Sequence, residues 1–135
     1  MKSSKKIYYL VDSLDDFSFL KGIGDDIGYQ IIVYLDGKFM LRTLELQEEK
    51  PEIIILDIHM PIFNGEEIVE IIRKKQSLKH IPIIMISSAY PKKLISEFNK
   101  LGVKHLFKRN NLKDFKGTIE KVLEESMKMD EVECN

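Results

Sequence analysis

Four places in the chain set a polar or charged residue directly behind an apolar run. They are Asp12 and Ser13 after KIYYLV, Asp57 after EIIIL, Ser87 and Ser88 after IPIIMI, and Lys108 after HLF. Asp57 offers the plainest chemistry, because a carboxylate can accept a phosphoryl group and become an aspartyl phosphate. The oxygens of a phosphoryl group in transfer carry charge, so such a site needs a cation and hydrogen-bond donors. Asp12 could share a Mg2+ ion, which takes one or two carboxylates, waters and phosphate oxygens. Ser87 has a hydroxyl to donate and Lys108 a point charge to place. Singly, each residue has a plainer use. Asp12 and Asp57 can cap or turn the chain, the serines can satisfy loop backbone, and Lys108 can be a solvated lysine. His59, His80 and His105 show no metal-ligand spacing, and the methionines read as core filler.

What raises the four above these plain uses is the set of elements that must hold them. Short apolar runs alternate with amphipathic stretches along the whole chain. Strands are expected at 6–11, 29–35, 52–57, 81–88 and 105–107. Helices are expected at 15–27, 37–49, 65–76, 92–102 and 112–128, with Asp15 or Asp16 as a cap for the first. Gly22 and Gly24 weaken that first helix. Ile68, Ile71 and Ile72 share one helix face, and Leu94, Phe98 and Leu101 share another, which ends at Gly102. Phe115, Ile119, Val122 and Leu123 repeat the spacing in the last helix. The first, third and fourth strands are apolar throughout, as parallel strands covered on both faces must be. The expectation is an α/β fold, a (βα)5 doubly wound parallel sheet with helices on both sides. In such sheets the functional crevice lies beyond the carboxyl ends of the strands, where all four polar positions fall.

Composition narrows the function classes. The chain has 135 residues, 44% apolar and 32% charged, with a net charge of -1. It is long enough for one domain with a real core and carries no electrostatic draw toward nucleic acid or anionic membrane. We expect a single domain over 1–135, with a core of about 6–125 and a short tail at 126–135. No apolar run reaches the ~20 residues that span a bilayer, and the N-terminus lacks a signal peptide's apolar region. One cysteine, Cys134, precludes an internal disulfide and makes the cytoplasm the expected location. No glycine-rich phosphate loop follows the first strand, which argues against a nucleotide or flavin binder on this architecture.

The stretch PEIIILDIHMPIFNG, with HIPIIMISS after it, resembles the receiver domain of two-component response regulators over roughly Lys6 to Glu125. The strand, the acid, the Met-Pro and a glycine eight residues after the acid carry the resemblance. It implies a flavodoxin-like sheet of order 2-1-3-4-5, an order for which a receiver is itself a standard example. It implies Asp57 as the phosphoacceptor and a Mg2+ site of Asp12, Asp57 and the His59 backbone carbonyl. It implies Ser87 and Lys108 as the phosphoryl-binding switch pair, with Pro61 and Gly65 shaping the loop after the acceptor.

Three departures stand out. Ser13 occupies the position of the family's second acid, a direct metal ligand, so Mg2+ binding is expected to be weakened. FKRNNL replaces the family's Lys-Pro. Matching the following helix makes Lys108 the lysine, whereas counting forward from Gly102 gives Arg109; the helix match is preferred. The switch aromatic of the fifth strand falls on His105 or Leu106, and neither is aromatic in the family's sense.

The resemblance implies a stand-alone receiver, not an enzyme beyond self-catalysed phosphoryl transfer and autodephosphorylation. It would be phosphorylated by a sensor histidine kinase or a phosphotransfer protein and would signal through a downstream protein. A dimer through the helix 4–strand 5–helix 5 face belongs to the same expectation. DNA binding in this chain is not expected, because only about ten residues follow the last helix, too few for a helix-turn-helix. The alternative is a degenerate receiver acting as a phosphorylation-independent interaction module, which Ser13 motivates.

Overall fold

A computed structural model of the chain describes residues 5–11, 19–57, 65–87, 92–107, 117, 119–121 and 123–124. Five strands are present: β1 Lys5–Val11, β2 Tyr29–Tyr34, β3 Ile53–Asp57, β4 Ile83–Ser87 and β5 Val103–Phe107. Between them run α1 Phe19–Ile27, α2 Gly37–Leu46, α3 Gly65–Lys74 and α4 Lys92–Lys100. Helical residues follow at 117, 119–121 and 123–124. All strands are parallel, in the order β2-β1-β3-β4-β5.

The unbroken apolar strands follow from burial on both faces. Successive side chains of a strand point to opposite faces. Tyr8, Leu10, Ile54, Leu56, Ile83 and Met85 accordingly enter one core, with Met40, Leu44, Val69, Ile72 and Phe98 of the covering helices. Ile7, Tyr9, Val11, Ile53, Ile55, Ile84 and Ile86 enter the other, with Leu20 and Ile119. Fully burying one such side chain stabilises by about 1.5–3 kcal/mol, so these two layers dominate the fold. Tyr8, which packs beside Tyr34, is one of the large side chains in these cores that carry a polar group. Burial, with the Tyr34 hydroxyl beside it, pushes its phenol well above the ordinary range, and the two rings lie 5.0 Å apart.

Element limits differ from the sequence expectation where a single residue outweighs the pattern. β5 starts at Val103, not at residue 105, because buried Val103 pairs with Ile83; exposed Lys104 had interrupted the apolar run. β4 starts at Ile83, since Pro82 has no N–H for the ladder, although its carbonyl accepts the Ile54 N–H at 3.0 Å. β2 stops at Tyr34, and Leu35 is half exposed. α2 starts as expected, with the Asp36 carboxylate accepting the Lys38 N–H at 2.9 Å, but it ends at Leu46, where the Lys50 ammonium donates to the carbonyls of Leu44 and Gln47. In α3, Val69 joins Ile68 and Ile72 in the core, while Ile71 is only partly buried. The start of the first helix, Leu94's side chain, Phe115 and Val122 lie outside the described residues.

Two close approaches set the frame beneath the functional rim. Gly24 of α1 sits where a Cβ would lie 2.5 Å from the Tyr29 carbonyl oxygen, so only glycine lets the helix lie this near β2. Arg73, in the last turn of α3, ties the opposite end of the sheet together. Its Nε donates to Leu101 O (2.8 Å), Nη1 to Ile81 O (2.8 Å) and Lys79 O (3.1 Å), and Nη2 to Gly102 O (3.3 Å). Gly102 takes a φ of 78° and closes α4 as the expected C′ residue.

These contacts yield two predictions, both read by urea unfolding. Gly22 has open space around it, so Gly22→Ala is expected to stabilise by about 0.5–1 kcal/mol, whereas Gly24→Ala is expected to destabilise by about 1–3 kcal/mol. Equal effects at the two glycines would show that the Tyr29 carbonyl does not limit the packing. Arg73→Lys keeps the charge but loses the planar fork, and a loss of about 1–3 kcal/mol is expected.

Candidate functional site

The strand register builds the site from the backbone upward. Asp57 is the last residue of β3, the middle strand of five, and its Cα partners are Val11 of β1 and Ile86 of β4. Neighbouring strands lie about 4.8 Å apart, so Ser87, the residue after Ile86, stands in the strand beside Asp57 at the sheet edge. In the sequence Asp12 follows Val11, the partner of Asp57 in β1. Ser87 closes β4 and pairs with Phe107, the last residue of β5, which Lys108 follows. His105 pairs with Met85 and Leu106 with Ile86, below the level of Ser87. All strands being parallel, these carboxyl ends share one rim. Gly65 is the first residue of α3, the helix that returns from that rim.

The structure thus brings Asp57 and Ser87 to one edge, as backbone positions in adjacent strands. It places His105 and Leu106 in the neighbouring strand, on the approach to the same edge. Asp12, Ser13, Asp15, Asp16, His59, Pro61, Lys108 and Arg109 lie outside the described residues.

Among the described residues, α3 and α4 bring acidic side chains together near this rim. Glu66 and Glu67 fill the first turn of α3, where the helix dipole favours negative charge, and Arg73 and Lys74 fill the last. Desolvation pushes the Glu66 carboxyl above the usual carboxylate range, and the charges of Glu97 and Glu70 and a hydrogen bond with Glu97 add to it. This acidic meeting of α3 and α4 was not legible in the sequence, because nothing in the spacing says which helix lies beside which. Among the described residues no three His, Cys, Asp or Glu side chains form a metal-binding group, and no helix is long and apolar enough to cross a membrane.

Comparison with known proteins matches residues 15–120 to the response regulator receiver domain. The putative two-component response regulator ARR20 of Arabidopsis thaliana is 30% identical over 93 residues, covering 69% of this chain and 21% of that protein. Response regulator Rcp1 of Synechocystis is 29% identical over 94 residues, covering 65% of this chain and 64% of that one. The chain therefore spans less than two thirds of these relatives. Among solved structures, the chemotaxis protein CheY4 of Vibrio cholerae superposes with a TM-score of 0.73 at 24% identity, over 92% of this chain and 99% of that one. The Mn2+-bound form of Rcp1 superposes with a TM-score of 0.68 at 22% identity, over 87% and 91%. These likenesses bear out the flavodoxin-like fold. With the family match over most of its length, the chain belongs to the response regulator receiver domain family.

Proposed function

We propose that the protein works as a receiver in two-component signalling, accepting a phosphoryl group on Asp57 from a sensor histidine kinase or a phosphotransfer protein. The observation that carries the reading is the register: Asp57 ends the central strand, and Ser87 ends its neighbour at the same rim. In the transfer, a carboxylate oxygen of Asp57 forms a bond to phosphorus as the phosphorus–nitrogen bond of a phosphohistidine breaks. The electron pair returns to the imidazole, which takes up a proton. The protein contributes position and charge and is a signalling module, not an enzyme acting on a separate substrate.

The donor set suits a hard divalent cation held by oxygens: the carboxylates of Asp12 and Asp57 and the carbonyl of His59. The Mn2+-bound Rcp1 structure supports divalent binding in a relative, and Mg2+ is the ion proposed here. When bound, it supplies positive charge for the oxygens of the group in transfer. Ser13 replaces a charged ligand with a neutral hydroxyl, so affinity falls without the coordination chemistry changing type. Ser87 donates to one phosphoryl oxygen and Lys108 places its charge on another, with Arg109 the second candidate for that role. Pro61 and Gly65 shape the intervening loop.

The core of the receiver extends over about 6–125, in the cytoplasm. The added negative charge is read by a downstream protein on the α4–β5 side, including the helix after β5, where a dimer through the same face is also proposed. His105 and Leu106 occupy the readout strand in place of an aromatic switch, so the signal travels through backbone and loop shifts.

Treatment with acetyl phosphate and Mg2+, followed by intact-mass spectrometry, should add one phosphate to the wild type and none to Asp57→Ala. Absence of that gain, repeated with a cognate kinase, would establish the degenerate interaction module instead. Ser13→Asp is expected to tighten Mg2+ binding by about tenfold, the effect of roughly 1.4 kcal/mol from one added charged ligand. Unchanged affinity in a metal titration would remove Ser13 as the source of weak binding.

A further inference from the structure

The net charge of -1 conceals a division along the chain. Residues 71–113 hold eleven of the 21 lysines and arginines and a single acid, Glu97. They run from the end of α3 through β4, α4 and β5, and β4 and β5 are neighbours at one side of the sheet. The cations gather at the end of the sheet where the strands begin, opposite the rim. Lys74 closes α3, Lys79 stands in the turn before β4, Lys100 closes α4 and Lys104 lies near the start of β5; all four are exposed. Arg73 binds the carbonyls of Lys79, Ile81, Leu101 and Gly102, so one guanidinium holds together the segments that carry these lysines. Lys74, Lys79 and Lys100 make no side-chain ion pair among the described residues. The other half of the same end is acidic. Asp25 and Asp26 in the last turn of α1, Glu48 and Glu49 after α2, and Glu52 before β3 are exposed. Lys6 and Lys50, the cations beside them, are engaged: Lys6 pairs with Glu49 at 3.5 Å, and Lys50 donates to the carbonyls of Leu44 and Gln47.

One segment of the chain carries the opposite charge. After Glu124 come Glu125, Asp130, Glu131 and Glu133, with Lys128 as its one cation. The helical residues before it pack Ile119 and Leu123 into the core on the α1 side. Their helix follows the rim end of β5, so Glu124 lies toward the end where the strands begin. Residues 125–135 lie outside the described residues. Eleven residues span up to about 36 Å when extended, against about 19 Å across five strands. Lys104 links the two faces: alternation turns it away from the face of buried Val103, toward the side from which this segment sets out. We propose that residues 125–135 dock on the cationic end formed by Lys74, Lys79, Lys100 and Lys104. The acids of the segment meet exposed ammonium groups there, whereas Asp25, Asp26, Glu48 and Glu49 repel them from the other half. A single exposed ion pair contributes little, but these pairs share one tether, which supplies a local concentration on the order of millimolar. That tether selects this segment over a separate acidic protein.

Cys134, the only cysteine, lies within the segment and reports on its docking. Ser77→Cys places a second thiol in the turn beside Lys79, and Gln47→Cys places one on the acidic half of the same end; both positions are exposed. Under mild oxidation, the full chain carrying Ser77→Cys should close an intramolecular disulfide about tenfold faster than the chain carrying Gln47→Cys. Each rate is divided by that of the same new thiol, in a Cys134→Ser background, with a neutral disulfide reagent, which removes differences in thiol reactivity. Raising NaCl to about 0.5 M should remove most of the difference by screening. Lys79→Glu with Lys100→Glu should slow closure at Ser77→Cys about tenfold, and adding Asp130→Lys with Glu133→Lys should restore it. Equal closure at the two positions overturns the proposal. So does closure indifferent to the lysine reversals, a charge swap that restores nothing, or a product linked only between two chains.

Discussion

Everything in this molecule depends on burying the central strands on both faces. β1, β3 and β4 have no solvent side, so their residues divide between two cores and leave no room for a charged group until the strand ends. A carboxylate in the middle of β3 would lose several kcal/mol of hydration without compensation. The rim is the first place where an acid is affordable, and Asp57 stands there. The same rule acts on Ser87 at the end of β4. The two positions are therefore brought together by hydrophobic burial, before any attraction between their side chains is considered.

Helix packing then fixes how rigidly that rim is held. Gly24 lets α1 close on β2, and the Arg73 fork binds the last turn of α3 to the turns that lead into β4 and β5. Both devices lie away from the chemistry. Arg73 satisfies carbonyls at the end of the sheet away from the rim.

Much of this was legible in the sequence, for a definite reason. Period and apolar run length report burial, and burial decides strand, helix and sheet type. The order of strands was not in the periodicity and came from resemblance to the family. Boundaries failed where one residue broke the pattern: exposed Lys104 hid the start of β5, and Pro82 shortened β4. Arg73 was invisible because its partners are backbone carbonyls, which carry no sequence signature. The Glu66–Glu97 meeting was invisible because helix adjacency is a tertiary fact. Of the site, Asp57 and Ser87 were legible as strand ends and are placed by register; Asp12, Ser13 and Lys108 were read from the same strand-end pattern and His59 from resemblance, and all four lie outside the described residues.

That division has a chemical consequence. The place of Asp57 at the end of β3 is dictated by the core, so the core cannot be kept while that residue is moved. Ser13, Arg109 and the His105–Leu106 pair differ in kind. Ser13 and Arg109 follow strand ends in the sequence, whereas His105 and Leu106 lie within β5 and pair with Met85 and Ile86. Positions beyond the strand ends can vary while the apolar strands, and with them the place of Asp57 and Ser87, stay the same. Under the proposed function, the fold accounts for where a phosphoryl group would sit, and the loop residues would set how tightly it is held and how it is read.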